Sequence, residues 1–153
     1  MHVAELNIGR VKYALDDPRM AGFMDNLDRI NALAERSPGF VWRMTGDGNN
    51  AMDVGFDAAP DMNMNMSVWE SAETLEAYVW NTVHVQFYRR KTEWFEHLDQ
   101  PWFVMWPVEV GHRPTLAEAF ERLEHLRAHG SSEYAFDWNA LPHLKDWMAK
   151  RCA

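Results

Sequence analysis

Aromatic rings surround a single histidine in residues 80–95, and this cluster is the strongest sign of chemistry in the chain. On a helical wheel, His84 lies at the centre of an arc roughly 100° wide. Because an unperturbed imidazole has a pKa of about 6.5, a histidine within an aromatic wall can serve as a general base or acid. The alternative is a core or interface histidine with a satisfied hydrogen bond. The arc consists of Trp80, His84, Phe87, Tyr88, Lys91 and Phe95.

Two predicted strands carry polar side chains suited to the same site. Asn7 interrupts an apolar strand, and a buried amide left unpaired costs about 1–3 kcal/mol. We interpret Asn7 as a group that orients a substrate carbonyl or a bound dioxygen species, or else as a polar contact to a neighbouring loop. Residues 62–69 alternate with a period of two, which places methionines on one face as core filling. The polar face consists of Asn63, Asn65, Ser67 and Trp69.

The elements that must position these residues follow the order strand, helix, strand, strand, helix, strand, with helical additions. This order predicts an α+β fold of the ferredoxin-like plan, a four-stranded antiparallel sheet with helices on one face. A second copy of the sheet is the economical cover for its other face, so we expect a homodimer, a dimeric α+β barrel. Strands are predicted at 2–9, 40–44, 62–69 and 102–110, and helices at 18–37, 71–98 and 115–129. Residues 46–60 are predicted to form a loop or irregular hairpin, and 141–148 a short amphipathic piece.

Length and charge limit the classes of function. The 153 residues fit one domain, 1–153, with a helical C-terminal extension from about 115. A formal net charge of −8 opposes binding to nucleic acid. No apolar run is long enough to span a membrane, the N-terminus lacks the pattern of a secretory signal, and Cys152 is the only cysteine. We therefore expect a cytoplasmic protein without a membrane or nucleic-acid partner.

Several segments resemble an uncharacterised bacterial family, a domain of unknown function grouped with the dimeric α+β barrel proteins near the antibiotic biosynthesis monooxygenases. The resemblance implies a superfamily that includes cofactor-free quinone-forming monooxygenases, haem-degrading monooxygenases, chlorite dismutases and small isomerases. It also implies a parallel with the haem-degrading members, because Asn7, Trp69 and His84 occupy the corresponding element positions. The segments are Leu6–Gly9, Asp17–Met20, Ser37–Trp42, Ser67–Ser71, His84 with Arg89–Phe95, and Gly111–Thr115.

Two functions follow from these observations. The first is a monooxygenase-like enzyme that acts on a small aromatic or conjugated substrate without a tightly bound cofactor. Its catalytic residues would be His84 as the base, Asn7 as the orienting amide, and Trp69. The second is a noncatalytic dimer that binds a small hydrophobic molecule or haem. In either case the pocket is predicted between the sheet and the second helix, and the predicted substrate-binding residues are Asn65, Ser67, Tyr78, Trp80, Phe87 and Tyr88.

A metal site is not expected. Glu121, His125 and His129 recur at i, i+4 and i+8 and share one helix face, where they could ligate a transition metal. The same face also carries Glu118 and Arg122, which is more typical of a solvated charged surface.

Overall fold

The computed structural model describes residues 1–45, 62–82 and 84–141. The strands are β1 (His2–Arg10), β2 (Phe40–Arg43), β3 (Met62–Trp69) and β4 (Phe103–Val108). The helices are α1 (Ala21–Arg36), α2 (Ala72–Asn81), α3 (His84–Arg89), α4 (Lys91–Trp94) and α5 (Leu116–His129). The predicted loop at 46–60 lies outside the described residues, and so does the predicted amphipathic piece, apart from Leu141.

The four strands form one antiparallel sheet in the order β2-β3-β1-β4. The alternation of residues 62–69 is confirmed as β3, which pairs with β1 along its whole length. In this register Glu5 lies opposite Ser67 and Asn7 lies opposite Asn65. The predicted ferredoxin-like α+β fold is therefore confirmed, and the register determines which polar side chains become neighbours.

The two faces of the sheet are covered by different helices. On one face, which we call the site face, Val3, Trp69 and Met105 pack with residues of α1 and α2. On the other face, Leu6 and Trp106 pack under α5, whose buried stripe is Ala119, Phe120, Leu123 and Leu126. The face expected to be free of helices is thus partly covered by the C-terminal extension. Within the described residues, α5 contacts chiefly β4 and β1.

The predicted helix at 71–98 is wrong in one respect, because the structure divides it into α2, α3 and α4. Ser71 caps α2 in a capping box with Thr74, as its position before the helix suggests. Thr82 then adopts an extended conformation and ends the helix. Its hydroxyl donates a hydrogen bond to the Tyr78 carbonyl and accepts one from the His84 N–H. This local hydrogen bonding competes with the helical pattern and turns the chain before α3.

Among the described residues, no helix combines the length and the hydropathy that a membrane span requires.

Candidate functional site

A cavity of about 230 Å³ lies between the site face of the sheet and helices α1, α3 and α4. Polar groups of β1 and β3 line one side of the cavity, and aromatic rings and His84 line much of the rest. The volume is below the roughly 300–1,000 Å³ of pockets for drug-sized ligands, so the cavity suits a small ligand. The polar lining from β1 and β3 consists of Glu5, Asn7, Asn63 and Asn65, and other elements add Asn31, Lys91, Thr92, Glu96 and His97. The aromatic lining includes Phe23, Phe87, Tyr88, Trp94, Phe95 and Phe103.

Glu5 is a buried carboxyl group at the centre of this lining, with only 4% of its surface exposed. The Ser67 hydroxyl donates a 2.6 Å hydrogen bond to Oε1 of Glu5, and the Asn7 side-chain amide donates a 3.0 Å bond to Oε2. The Trp69 indole N–H donates in turn to the Ser67 hydroxyl oxygen at 2.9 Å. Since an indole N–H can only donate, Ser67 accepts from Trp69 and directs its own hydrogen towards Glu5.

The pKa of Glu5 is raised by its burial from the ordinary 4.5 to about 7, against the lowering effect of the hydrogen bonds from Ser67 and Asn7. Burial dominates because a charged carboxylate loses hydration that these hydrogen bonds only partly replace. Near neutral pH, Glu5 is therefore divided between its protonated and ionised forms. Such a group can exchange a proton with a bound ligand within the physiological range.

His84 begins α3 and also lines the cavity. Burial lowers the pKa of its imidazole, and a hydrogen bond to the Val79 carbonyl acts in the opposite direction. This bond is long, with 3.4 Å between Nδ1 and the carbonyl oxygen. Because a carbonyl oxygen only accepts, the bond requires the proton on Nδ1 and leaves Nε2 with a free lone pair. A neutral imidazole with that tautomer is able to take a proton from a ligand.

A stack of rings connects the carboxyl group to the histidine. The Trp69 ring stacks on Tyr78 at a centroid distance of 5.1 Å, and Tyr78 packs against the His84 ring at 4.9 Å. The Tyr78 hydroxyl donates to the Ile30 carbonyl on α1, and burial raises its pKa well above the ordinary value. Tyr78 therefore stays neutral and anchors α2 to α1. Trp69 contacts both halves of the site, through Ser67 on one side and through Tyr78 on the other.

The sequence matches a known protein-family model. One model, described as a domain of unknown function, DUF3291, matches residues 2–152. The chain belongs to the DUF3291 family. The predicted resemblance to a domain-of-unknown-function family is thereby confirmed. No curated protein matches the sequence.

Solved structures resemble this DUF3291 chain at low sequence identity. A conserved protein from Methanosarcina mazei has a TM-score of 0.53 and 8% identity, over 71% of this chain and 94% of that chain. SnoaB, a cofactor-independent oxygenase from Streptomyces nogalater, has a TM-score of 0.47 and 17% identity, over 76% of this chain and 98% of that chain. A Chloroflexus aurantiacus protein described as a putative antibiotic biosynthesis monooxygenase has a TM-score of 0.46 and 17% identity, over 74% of this chain and 98% of that chain. The Methanosarcina protein shares the fold of this chain.

The structure brings together five of the nine residues predicted for the site. These are Asn7, Asn65, His84, Phe87 and Tyr88, all of which line the cavity.

Four other predicted residues lie outside the cavity lining. Trp69, Ser67 and Tyr78 form a buried layer behind it, because α2 covers the end of β3. Trp80 is 36% exposed and packs against Tyr88 and Trp138. The helical wheel that placed Trp80 beside His84 assumes one continuous helix. In the structure Trp80 belongs to α2 and His84 to α3.

Glu5 is the residue that sequence reasoning missed. In the sequence Glu5 stands among apolar residues of β1, and the period of two places it on the same face as Asn7. A charged residue in a strand interior is the signal that could have indicated it. Its partner Ser67 lies 62 residues away, and only the strand register brings the two side chains together.

Metal ligation finds no support in the part of the chain that the structure describes, where no group of three or more His, Cys, Asp or Glu side chains is placed to hold an ion. The Glu121 carboxylate accepts a hydrogen bond from the Tyr134 hydroxyl, and His125 packs between the rings of His129 and Tyr134. These contacts account for the helix face that carried the metal-like spacing.

Proposed function

We propose that this protein is a monooxygenase-like enzyme that acts on a small aromatic or conjugated substrate without a tightly bound cofactor. The observation that carries the proposal is the aromatic cavity, whose lining includes the His84 imidazole and the side-chain amides of Asn7 and Asn65. The Asn65 side chain lines the cavity at its solvent-exposed part. A ligand in the cavity can form hydrogen bonds with this amide in place of water.

His84 acts as the base in this proposal. Its Nε2 takes a proton from an activated CH₂ group of the substrate, and the electron pair is delocalised over the conjugated rings. The carbanion transfers electrons to dioxygen and forms a C–O bond, which gives a peroxide. Loss of the second C–H proton, with cleavage of the O–O bond, yields a ketone and water. The net reaction, R₂CH₂ + O₂ → R₂C=O + H₂O, takes all four electrons from the substrate and needs no external reductant.

The other lining residues bind and orient the substrate. Asn7 keeps its amide oxygen and one N–H available while it donates to Glu5, and Asn65 offers a second amide. Phe87 and Tyr88 supply flat surfaces that suit a planar ring system and exclude water. Ser67, Trp69 and Tyr78 act from behind the lining, as positioning residues rather than as substrate contacts.

Oxygen uptake with anthrone as the probe tests this function. We expect the wild-type protein to consume oxygen and to form anthraquinone. His84→Ala should lower the turnover by roughly 10²–10⁴-fold, the usual contribution of a general base. His129→Ala, an exposed histidine at the end of α5, is the matched control and should leave the rate unchanged. The enzyme hypothesis would be abandoned if anthrone and quinol probes caused no oxygen uptake, or if His84→Ala retained the wild-type rate.

Binding without turnover is the second candidate function, and the orientation of His84 favours it. The Nδ1 bond to the Val79 carbonyl leaves the Nε2 lone pair free, as in histidines that serve as metal or haem ligands. The small cavity fits haem poorly, however, so a compact aromatic molecule is the better ligand. Tight anthrone binding without oxygen uptake would support this function. A Soret band on addition of haem, lost in His84→Ala, would support haem instead.

We also propose that the protein is a homodimer. The β2–β3 half of the sheet face opposite the cavity carries four half-buried apolar side chains: Trp42, Met44, Met62 and Met64. α5 occupies the β1–β4 half, so a second copy would cover the part that α5 leaves free. In this proposal the dimer interface involves β2 and β3 rather than the whole face of the sheet.

A further inference from the structure

We propose that Glu5 is a second catalytic residue, the acid that delivers a proton to the peroxide formed on the substrate, with Ser67 and Asn7 as its positioning residues. The inference rests on the proposed oxygenase function and deepens it. The roles proposed for His84 and Asn65 do not involve the buried carboxyl group of Glu5, and this inference assigns a chemical role to it.

The hydrogen bonds from Ser67 and Asn7 limit the directions that the proton of Glu5 can take. Ser67 donates to Oε1, and Asn7 donates to Oε2, so both oxygens already accept a hydrogen bond from the protein. The Ser67 oxygen accepts from the Trp69 N–H, and the Ser67 hydrogen is donated to Glu5. A proton on the carboxyl group must therefore use a lone pair that neither donor occupies. Since Glu5 lines the cavity, a ligand bound there can accept that proton.

The burial of Glu5 makes a purely structural role costly. A buried carboxyl group is destabilising unless it is fully paired, and an apolar residue at this position would continue the pattern of β1. On the site face the neighbours of Glu5 are Ser67 on β3 and Met105 on β4. Met105 has an apolar side chain, so the hydrogen bonds described for the Glu5 carboxyl group are those it accepts from Ser67 and Asn7.

The proton balance of the reaction closes with two groups. His84 takes the first C–H proton, and after dioxygen adds to the carbanion, protonated Glu5 donates to the peroxide anion and becomes a carboxylate. The carboxylate then accepts the second C–H proton while the O–O bond breaks. The departing hydroxide takes the proton from the His84 imidazolium and leaves as water. Both residues return to their initial protonation states, and no other reactant is consumed.

The opposite pKa shifts of the two groups support this division of roles. Burial raises the pKa of Glu5 and lowers that of His84, so the carboxyl group tends to be protonated and the imidazole neutral. The other titratable groups near the site are Tyr78 on α2, Tyr88 on α3, Lys91 on α4, and Glu96 and His97 after α4. Tyr78 is neutral because burial raises its pKa, and burial also lowers the pKa of Lys91. The cavity residues of α1, which include Phe23, Leu27 and Asn31, are uncharged.

Glu5→Gln tests the proposal because it removes the proton and keeps the shape. The amide oxygen of the new side chain can accept from Ser67, and the Asn7 amide can rotate to offer its oxygen to the new N–H₂. Anthrone deprotonation is followed by the absorbance of the anion without oxygen, and ketone formation is followed with oxygen. We expect Glu5→Gln to deprotonate anthrone normally and to form the ketone at least 10²-fold more slowly, with accumulation of hydroperoxide. Glu124→Gln, the same change on the exposed face of α5, should behave as wild type.

The pH profile separates catalysis from a structural role. Ketone formation by the wild-type protein should fall as the pH rises through about 7, since the protonated acid is then lost. Ser67→Ala removes the hydrogen bond that most lowers the pKa of Glu5, so this alkaline limb should move to higher pH. If Glu5→Gln does not fold, an unmoved limb in Ser67→Ala still refutes the proposal.

The results of these assays separate failure of the oxygenase function from failure of the acid role of Glu5. If the wild-type protein neither deprotonates anthrone nor takes up oxygen, the proposed function fails, and the acid role of Glu5 fails with it. If the wild-type protein is active and Glu5→Gln forms the ketone within threefold of its rate, only the role of Glu5 is overturned.

Discussion

The buried carboxyl group of Glu5 should make the stability of the protein depend on pH in a specific direction. In the unfolded chain Glu5 titrates near its ordinary pKa of 4.5, and in the folded protein burial raises the pKa to about 7. Between these values the folded state binds more protons than the unfolded state. The free energy of unfolding therefore decreases as the pH rises from 4.5 to 7, and the contribution of Glu5 levels off above that.

The size of this effect follows from the displacement of the pKa. At about 1.36 kcal/mol per unit of pKa, ionising Glu5 in the folded protein costs ~3 kcal/mol more than in the unfolded chain. No discount for solvent screening applies, because the carboxyl group is buried and only 4% of the residue is exposed. For a domain of this size, ~3 kcal/mol corresponds to roughly 6–12 °C in melting temperature.

Urea unfolding of the wild-type protein and Glu5→Gln between pH 5 and 8.5 measures this contribution. Glutamine does not titrate, so the variant should gain ~3 kcal/mol relative to wild type across this range. His84 acts in the opposite direction because burial lowers its pKa, but it is present in both proteins and cancels in the difference. Parallel stability curves, within ~1 kcal/mol at every pH, would refute the account of Glu5 as a costly buried acid, whatever the protein catalyses.

Two further predictions concern the fold and the assembly. Gly39 and Gly130 both have positive φ, at 83° and 74°, but an added Cβ would overlap the Thr74 side chain at Gly39 and meet nothing within 4 Å at Gly130. Thermal unfolding should show a loss of ~1–3 kcal/mol for Gly130→Ala and a clearly larger loss for Gly39→Ala, and equal losses would contradict the packing of α2 on this turn. Light scattering at micromolar concentration should give the mass of two subunits for the wild-type protein and of one for Met64→Glu, because a charge on the β2–β3 face opposes burial. A wild-type mass of one subunit would end the dimer hypothesis.

Local patterns in the sequence predicted most of the architecture, because they report backbone geometry directly. The alternation of residues 62–69 has the period of a strand, and these residues form β3. Thr115 and Gly130 bound α5 as an N-cap and a C-terminal glycine, since a side-chain oxygen and a positive φ are what helix ends require. The order of elements then limited the topology to the ferredoxin-like plan.

The composition of the site was only partly predictable, for a physical reason. The sequence pattern and the family resemblance together predict Asn7, Asn65 and His84, and these residues line one cavity. Trp80 lies outside the cavity lining, and α2 ends at Thr82, whose side-chain hydroxyl donates to the Tyr78 carbonyl. A helical wheel assumes a continuous helix and therefore cannot contain that information.

The sequence by itself determined the order of strands and helices apart from the division of 71–98, the polar face of β3, and that the chain carries a histidine among aromatic rings. The tertiary structure decided that Glu5 is buried, that Ser67 and Asn7 donate to it, and that Trp69 lies behind them. These contacts depend on the register of β1 against β3 and on the helices that remove the carboxyl group from water. A pKa near neutrality is a property of that environment, so it emerges only when residues distant in sequence are packed together.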